Sequence, residues 1–285
     1  MNNSSRLRIF KTNWIFSIIG IIIAWSSQAA NIIFDMDGVL VTRSPWAITW
    51  ELKPWSFVGG FNPLHIQDLV MEFLERLIPY SPDIPHVIHN GRKLPAIMVL
   101  WLLGFITVGE IMELVNARLA IETKAMDSKR KAALIESIIK MIFTPERFAK
   151  TNKSLYKGVK LLKRCHRARN ADGSRKNKIF ILSNWDCASF KQLYQIEEFQ
   201  EFLDLCDGVL VSGDIHRVKP DPRAYQEAFS AFDIHPEKDL TIFIDDEQAN
   251  LDGALSLNHR MVRTILCKNK NLKPVKQKLK KMNLL

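Results

Sequence analysis

Four aspartates, in two pairs, are the residues of this sequence best suited to chemistry. Asp35 and Asp37 flank a single residue directly after an apolar run, and Asp245 and Asp246 end a second apolar run. Both runs have the composition of buried strands, and ligands of parallel α/β sheets bind beyond the carboxyl ends of such strands. Gly38 permits a sharp turn after the first pair. The two pairs therefore predict one acidic site at a sheet edge.

Lys219 and Ser183 are suited to complete an anion site around these carboxylates. Four carboxylates brought together repel one another, and a divalent cation would resolve the repulsion. Oxygen ligands with room for water and phosphate favour Mg²⁺ over Zn²⁺, which prefers His and Cys. Lys219 would add fixed positive charge, and Ser183 would donate a hydrogen bond to a phosphate oxygen. Each residue alone has an ordinary explanation as a helix cap or a surface turn, but their shared position at strand ends indicates a site.

Short apolar runs alternate with helical patterns along most of the chain. The runs at 31–34, 178–182, 208–211 and 240–244 each end in polar or acidic residues, and helical patterns such as 189–202 lie between them. This alternation predicts an α/β fold with a doubly wound parallel sheet that is covered by helices on both faces.

The stretch 43–155 differs in composition and predicts a helical cap inserted into that sheet domain. Its uncharged run 94–109 is too short to span a membrane and predicts a helix buried within the insertion. The catalytic core is then expected in residues 31–42 plus 156–267, followed by a basic C-terminal tail at 268–285.

Residues 1–30 have the layout of a signal peptide or an N-terminal anchor. A basic stretch precedes an apolar run at 14–25, and small residues around Ala29 suit cleavage there. We expect export to the periplasm or the exterior if the segment is cleaved and membrane anchoring if it is not. A cytoplasmic location stays open.

The formal net charge of +10 is concentrated at the two chain ends. Three basic residues precede residue 30, seven lysines follow Cys267, and residues 31–267 carry no formal net charge. A neutral body argues against nucleic acid as the main substrate. The predicted anion site suits a small phosphorylated substrate instead. Leu272, Val275, Leu279 and Met282 of the tail fall near one helical face, which favours a helix packed on the core. The alternative is weak contact with a membrane surface. The oligomeric state is not indicated.

Aromatic and histidine residues of the insertion have weaker interpretations. Trp46, Trp50 and Trp55 follow the first acidic pair closely, and we expect them in the core more than in a substrate pocket. His86 and His89 have a spacing seen in metal sites, but without a nearby carboxylate cluster they predict loop residues.

Four short motifs, taken in order, resemble a known enzyme family. They are Asp-Met-Asp-Gly-Val-Leu at 35–40, Leu-Ser-Asn at 182–184, Lys-Pro-Asp-Pro-x-x-Tyr at 219–225 and Phe-Ile-Asp-Asp-x-x-x-Asn at 243–250. Together they are similar to the four successive motifs of the haloacid-dehalogenase-like (HAD) superfamily. The resemblance implies a HAD-like Rossmannoid core, and it places the helical insertion where such enzymes carry a cap.

The resemblance implies a phosphatase acting on phosphate monoesters through an aspartyl-phosphate intermediate. Asp35 would be the nucleophile, and Asp37 would protonate the leaving group and then activate water. Ser183 and Asn184 would bind the phosphoryl group, and Lys219 would pair with Asp35 and with the phosphate. HAD dehalogenases lack the second aspartate, so Asp37 favours phosphate esters.

The resemblance also implies a Mg²⁺ site. Asp246 would bind the ion together with Asp35 and the main-chain carbonyl of Asp37, while Asp245 would lie beside the metal and Lys219. Arg43, just past the first motif, is a further candidate for contact with a substrate anion.

Two alternatives to hydrolysis stay open. A phosphomutase of the same superfamily would share every motif and would differ in keeping water from the phosphoryl-enzyme. A membrane-surface-associated protein with incidental phosphatase activity would use the apolar N-terminal run and the lysine-rich tail.

Overall fold

The structure, a computed structural model, describes residues 29–52, 63–122 and 129–285. The expected signal or anchor falls almost wholly in residues 1–28, and both this segment and Trp55 lie outside the described residues. Among the described helices, none combines the length and the apolar character needed to cross a bilayer.

Five parallel strands form the central sheet, and two small antiparallel ribbons accompany it. The described strands are β1 (Ala30–Phe34), β2 (Val41–Arg43), β3 (Ile88–His89), β4 (Arg92–Lys93), β5 (Asn152–Ser154), β6 (Asn177–Ser183), β7 (Gly208–Val211), β8 (Thr241–Asp245) and β9 (Val262–Leu266). The order across the sheet is β7-β6-β1-β8-β9. The first motif therefore leaves the middle strand, with the second and fourth motifs on the strands beside it.

Helices cover both faces of this sheet and build the insertion. They are α1 (Pro45–Glu51), α2 (Pro63–Glu75), α3 (Ala96–Leu102), α4 (Val108–Glu122), α5 (Lys129–Phe143), α6 (Pro145–Lys150), α7 (Tyr156–Arg167), α8 (Cys187–Tyr194), α9 (Glu197–Leu203), α10 (Ser212–Ile215), α11 (Pro222–Ala231), α12 (Gln248–Leu255) and α13 (Leu272–Lys281).

Alternate residues of β1 pack into separate apolar clusters on the two faces of the sheet. Ile32 and Phe34 lie with residues of α7, α9 and α13, whereas Ile33 lies with residues of α11 and α12. All five residues of β1 are buried, as a central parallel strand with helices on both faces requires. The predicted α/β class with a doubly wound parallel sheet is confirmed.

The insertion has its own apolar core and is joined to the sheet domain through a two-stranded stem. β2 pairs with β5 in antiparallel register, Val41 opposite Ser154, so both connections to the insertion leave side by side. The uncharged run forms α3, in which Ile97, Val99 and Trp101 are buried.

Hydrogen bonds fix α3 of the insertion against the core segment that follows β7. The Ser212 hydroxyl donates to the carbonyl of Leu102 over 3.0 Å, and Nδ1 of His216 lies 2.7 Å from the carbonyl oxygen of Leu103. Val218, next to Lys219 in sequence, packs into the apolar cluster of the insertion. The position of the third motif is therefore coupled to the cap.

The segment called the basic tail in the sequence analysis is an ordered helix for most of its length. Leu272, Val275 and Leu279 of α13 are buried in the same cluster as β1, and Nδ2 of Asn177 donates to the carbonyl of Leu284 over 2.9 Å. The apolar face of α13 is thus occupied by the core, and the lysines of the helix lie exposed.

The two described tryptophans that follow the first motif do not lie in the core. Trp46 and Trp50 lie one helical turn apart on α1, with 85% and 78% of their surface exposed. The expectation that they belong to the core is therefore wrong, because α1 presents this face outward.

Candidate active site

Asp35 and Lys219 form a buried ion pair at the carboxyl end of β1. Asp35 is the first residue after the strand, and its Oδ1 lies 2.9 Å from Nζ of Lys219. Their side chains are only 9% and 3% exposed. An ion pair this deeply buried is tolerated only when its geometry and surrounding hydrogen bonds are good. Lys219 meets that condition through a second carboxylate.

Asp245 holds Lys219 from the other side and is itself held by the fourth motif. Its Oδ2 lies 2.6 Å from Nζ of Lys219, and its Oδ1 accepts hydrogen bonds from the amide of Glu247 over 2.9 Å and from Nδ2 of Asn250 over 3.0 Å. The Tyr225 hydroxyl in turn donates to the main-chain carbonyl of Asn250. Tyr225 and Asn250, the last residues of two motifs, therefore support the site and do not face a substrate.

The Asn184 side chain positions Lys219 through its main chain. Its Oδ1 accepts from the Lys219 amide over 2.8 Å, and its Nδ2 donates to the Lys219 carbonyl over 2.9 Å. Both polar atoms of the amide therefore contact the main chain of Lys219, and the predicted contact of Asn184 with phosphate stays a prediction. Ser183, the last residue of β6, is 2% exposed at the neighbouring strand end.

Gly38 is required because the turn brings its Cα against the carboxylate of Asp246. Its φ of +72° lies in the left-handed region that favours glycine. A Cβ at this position would stand 1.8 Å from Oδ2 of Asp246, far closer than any side chain allows. The glycine thus permits the first and fourth motifs to meet.

Three of the four predicted metal ligands converge. Carboxylate oxygens of Asp35, Asp245 and Asp246 all lie within 4.8 Å of one another. Burial raises the pKa of Asp35 to about 7, with repulsion from Asp245 and Asp37 adding to the rise and Lys219 opposing it. Burial likewise raises the pKa of Asp246 to about 8, and the charges of Asp35, Asp245 and Asp37 add to the effect. The cluster is therefore short of positive charge.

This set of donors fits a hard divalent cation such as Mg²⁺. All the converging donors are oxygens, and Mg²⁺ is commonly bound by one or two carboxylates while it keeps several waters or phosphate oxygens. Burial alone would lower the pKa of Lys219, but Asp245 and Asp35 raise it above the ordinary value, so the lysine stays charged. One lysine does not balance three carboxylates, and a bound cation would.

The carboxylate of Asp37 lies apart from this cluster. Its Oδ1 accepts from the Gly38 amide over 3.0 Å, and its Oδ2 lies 3.5 Å from Arg43 and 3.9 Å from Nε2 of His89. The contact of the Asp37 main-chain carbonyl with the metal stays a prediction.

Arg43 is held beside Asp37 by contacts with the end of the insertion. Its NH1 donates to Oδ1 of Asn152 over 2.7 Å, and its guanidinium carbon lies 4.2 Å from the centre of the Phe148 ring. Trp185, after the second motif, lies 5.6 Å from the same guanidinium. These contacts hold the Arg43 guanidinium next to Asp37, the predicted acid. The predicted contact of Arg43 with a substrate anion stays a prediction.

His89 and Glu247 are site residues that the sequence analysis missed. The turn between β3 and β4 lies over the site, and the amide of Asn90 donates to Oε1 of Glu247. His89 was interpreted as a loop residue, whereas it ends β3 and faces Asp37. The Asn-Gly pair at 90–91 is a hairpin signal that marks this turn in the sequence, but where the turn docks depends on the packing of the cap.

Comparisons with known proteins give structural likenesses at low identity. No family model matches the chain. A HAD-family enzyme from Bacteroides thetaiotaomicron, solved as a magnesium complex, is 17% identical with a TM-score of 0.49 over 85% of this chain and 94% of its own. A predicted HAD-like hydrolase from Porphyromonas gingivalis is 15% identical with a TM-score of 0.48, covering 89% and 98%. A 2-haloacid dehalogenase from Pseudomonas syringae is 16% identical with a TM-score of 0.46, covering 84% and 86%.

At these identities and TM-scores the likenesses carry no conclusion about the reaction of this chain, and dehalogenases occur among them. The sheet order and the position of the insertion after the first motif are observed in the chain itself. All four motifs also meet at one end of β1. These features give the chain a doubly wound parallel α/β fold with an insertion after the first motif, and the four motifs that resemble those of the HAD-like superfamily lie together in space.

Proposed function

We propose that the protein is a Mg²⁺-dependent phosphohydrolase that acts on a small phosphorylated molecule. The observation that carries the proposal is that the aspartates occupy two separate places in the site. Asp35, Asp245 and Asp246 converge around Lys219, whereas the Asp37 carboxylate stands beside Arg43 and His89. A nucleophile in a cation site and a separate proton carrier are the two parts that cleavage of a phosphate ester needs.

In the first step a carboxylate oxygen of Asp35 forms a bond to phosphorus as the bond to the leaving oxygen breaks. Asp37 gives its proton to that oxygen, so the alcohol departs neutral and an aspartyl phosphate remains. In the second step Asp37 takes a proton from water as the water oxygen bonds to phosphorus. The bond to Asp35 then breaks, orthophosphate leaves, and both aspartates return to their starting states.

Fixed positive charge is the main contribution of the surrounding residues. Lys219 lies 2.9 Å from the Asp35 carboxylate, where it can also meet an equatorial phosphate oxygen, and the Ser183 hydroxyl would donate to another. Asp35, Asp246 and the main-chain carbonyl of Asp37 would hold Mg²⁺. The ion would neutralise charge on the phosphoryl oxygens and keep Asp35 ionised near neutral pH.

The leaving-group side of the site is lined by polar residues from the stem and the cap. Arg43 and His89 both face the Asp37 carboxylate, so the group that leaves would emerge beside them.

A phosphomutase would use the same steps but pass the phosphoryl group to a sugar instead of water. The identity of the acceptor therefore has to be measured.

A panel of phosphate monoesters, tested with Mg²⁺ and with EDTA, examines the proposal. We expect Mg²⁺-dependent release of orthophosphate by the wild type and none by Asp35→Asn, which keeps the shape of the side chain but not its charge. Hexose 1-phosphate in the panel reveals a mutase through isomer formation without phosphate release, and a 2-chloro acid reveals a dehalogenase through chloride release. Either result, in place of phosphate release, would refute hydrolysis of phosphate esters.

A further inference from the structure

A basic groove lies between α7 and α13, on the face of the sheet that these helices cover. Its volume is about 620 Å³, and its lining includes Lys157, Lys160 and Arg164 from α7 and Lys273 and Lys276 from α13. Lys270, in the loop before α13, is the sixth cation among the described lining residues, and none of these is acidic. We call this feature the α7–α13 groove. No residue of the four motifs lines it.

Helical spacing aligns the cations along the two walls. Lys157, Lys160 and Arg164 recur at three and four residues, so they form one row about 10 Å long on the surface of α7. Lys273 and Lys276 repeat the three-residue spacing on α13. Leu161 and Leu272, 3% and 5% exposed, pack beneath the two rows. An anion in the groove would therefore meet positive charge from both sides.

Charge in the groove is not neutralised within the described part of the chain. All six cations are exposed, and no carboxylate of the described residues forms an ion pair with any of them. Other surface cations nearby do have partners, since Lys163 on the adjacent side of α7 lies 3.0 Å from Glu201. Six like charges around one concavity repel one another, so binding an anion there lowers the electrostatic energy.

The loop before α13 is shaped to add its lysine to the groove. Asn269 and Lys270 adopt φ values of +54° and +58°, in the left-handed region that residues other than glycine seldom occupy. The Lys270 ammonium donates to the Thr42 hydroxyl of β2, which ties this loop to the stem of the insertion. Tyr156, 71% exposed, stands at the start of α7, with its hydroxyl 3.5 Å from the Lys160 ammonium.

We propose that the α7–α13 groove is a second binding site, separate from the acidic site, for a small polyanion that carries two or more phosphate or sulfate groups. A concave site with cations on two walls suits a compact ligand that can be held from both sides. A bilayer that binds an amphipathic helix would need outward apolar side chains beside the lysines, and those of α13 are buried in the core. This proposal does not depend on the phosphohydrolase reaction.

Calorimetric titration with inorganic tripolyphosphate tests the site. The protein is first freed of metal with EDTA and then dialysed into metal-free buffer, because without a metal the clustered carboxylates repel an anion from the acidic site. We expect one bound tripolyphosphate per chain, weakened at higher NaCl concentration. The test variant Lys160→Gln/Lys273→Gln removes one cation from each wall and should weaken binding about tenfold. The matched control, Lys191→Gln/Lys238→Gln, removes two exposed lysines elsewhere and should bind as the wild type does.

Four outcomes would overturn the proposal. The first is no measurable binding by the wild type, the second is equal weakening in the test and control variants, and the third is unchanged binding in the test variant. The fourth is tighter binding of a single-stranded oligonucleotide, or of phosphatidylserine vesicles, than of tripolyphosphate at matched phosphate concentration. The last outcome would assign the groove to an extended polyanion or a membrane. Because both variants change only surface side chains, equal melting temperatures confirm that folding is not the cause of any difference.

Discussion

Replacing Lys219 by methionine tests how the buried charges of the site depend on one another. Methionine keeps much of the length and the apolar stem of lysine and removes only the ammonium. In the wild type that ammonium lies 2.9 Å from Asp35 and 2.6 Å from Asp245, with 3% of its side chain exposed. The variant therefore leaves three clustered carboxylates with no fixed cation among them.

The expected loss of stability follows from this burial. Removing one partner of a buried ion pair typically costs about 3–5 kcal/mol, because the remaining charge stays desolvated. We expect a loss of that size in EDTA at pH 8, which for a chain of this size lowers the melting temperature by roughly 10 °C. At pH 5 the loss should be clearly smaller, because Asp35 and Asp246, whose pKa values are already raised to about 7 and about 8, can take up protons instead.

Mg²⁺ should act in the opposite sense on the same variant. The ammonium of Lys219 repels a cation, so its removal should tighten Mg²⁺ binding and make Mg²⁺ more stabilising in the variant than in the wild type. Phosphatase activity should nevertheless fall by a factor of about 10²–10³, because positive charge next to the phosphoryl group is lost.

Melting curves at pH 5 and pH 8, each with EDTA and with Mg²⁺, measure these effects. Lys191→Met is the matched control, since Lys191 is exposed on α8 and should change neither stability nor activity. Equal destabilisation of Lys219→Met at the two pH values, or a stability within about 0.5 kcal/mol of the wild type, would refute the reasoning.

Three further predictions concern the same site. Gly38→Ala should displace the Asp246 carboxylate, with which the new Cβ collides, and abolish the thermal shift produced by Mg²⁺; an unchanged shift would contradict the role of the glycine. His89→Ala should lower kcat/KM about three- to tenfold, as expected for one lost polar contact. The control His86→Ala removes a side chain paired with Lys93 and should leave kcat/KM unchanged, and equal effects of the two variants would show that His89 does not belong to the site. Because the pKa of Asp246 is raised, the folded protein binds more protons than the unfolded chain between about pH 4 and 8, and its stability in EDTA should fall as pH rises through that range. Mg²⁺ should make the dependence of stability on pH less steep, and an equally steep dependence with Mg²⁺ would argue against a cation at these carboxylates.

The core of the fold and the acidic residues were predictable because their signals are local. Continuous apolar runs ended by polar residues marked β1, β6, β7 and β8, and parallel strands bring such ends to one edge of a sheet. The meeting of three aspartates with Lys219 follows from that topology and from the order of the motifs.

Features that depend on packing between distant segments were not predictable in this way. His89 lies in the cap, and its position over Asp37 follows from the docking of α3 against the core. The pairing of Asn184 with the main chain of Lys219 likewise depends on the geometry of another loop. The sum of charges over residues 31–267 likewise concealed the α7–α13 groove, since the groove combines lysines of the body with lysines of the last helix.

The location of the covalent phosphoryl group tests the proposed reaction most directly. The variant Asp37→Asn lacks the base of the second step. The first step should still proceed with p-nitrophenyl phosphate, because its leaving group needs no proton, so the aspartyl phosphate should accumulate. After rapid quenching, reduction with borohydride and peptide mass mapping, the account predicts the reduced product at position 35, in amounts that depend on Mg²⁺. Phosphoryl transfer to another residue, or turnover with no residue labelled, would contradict it.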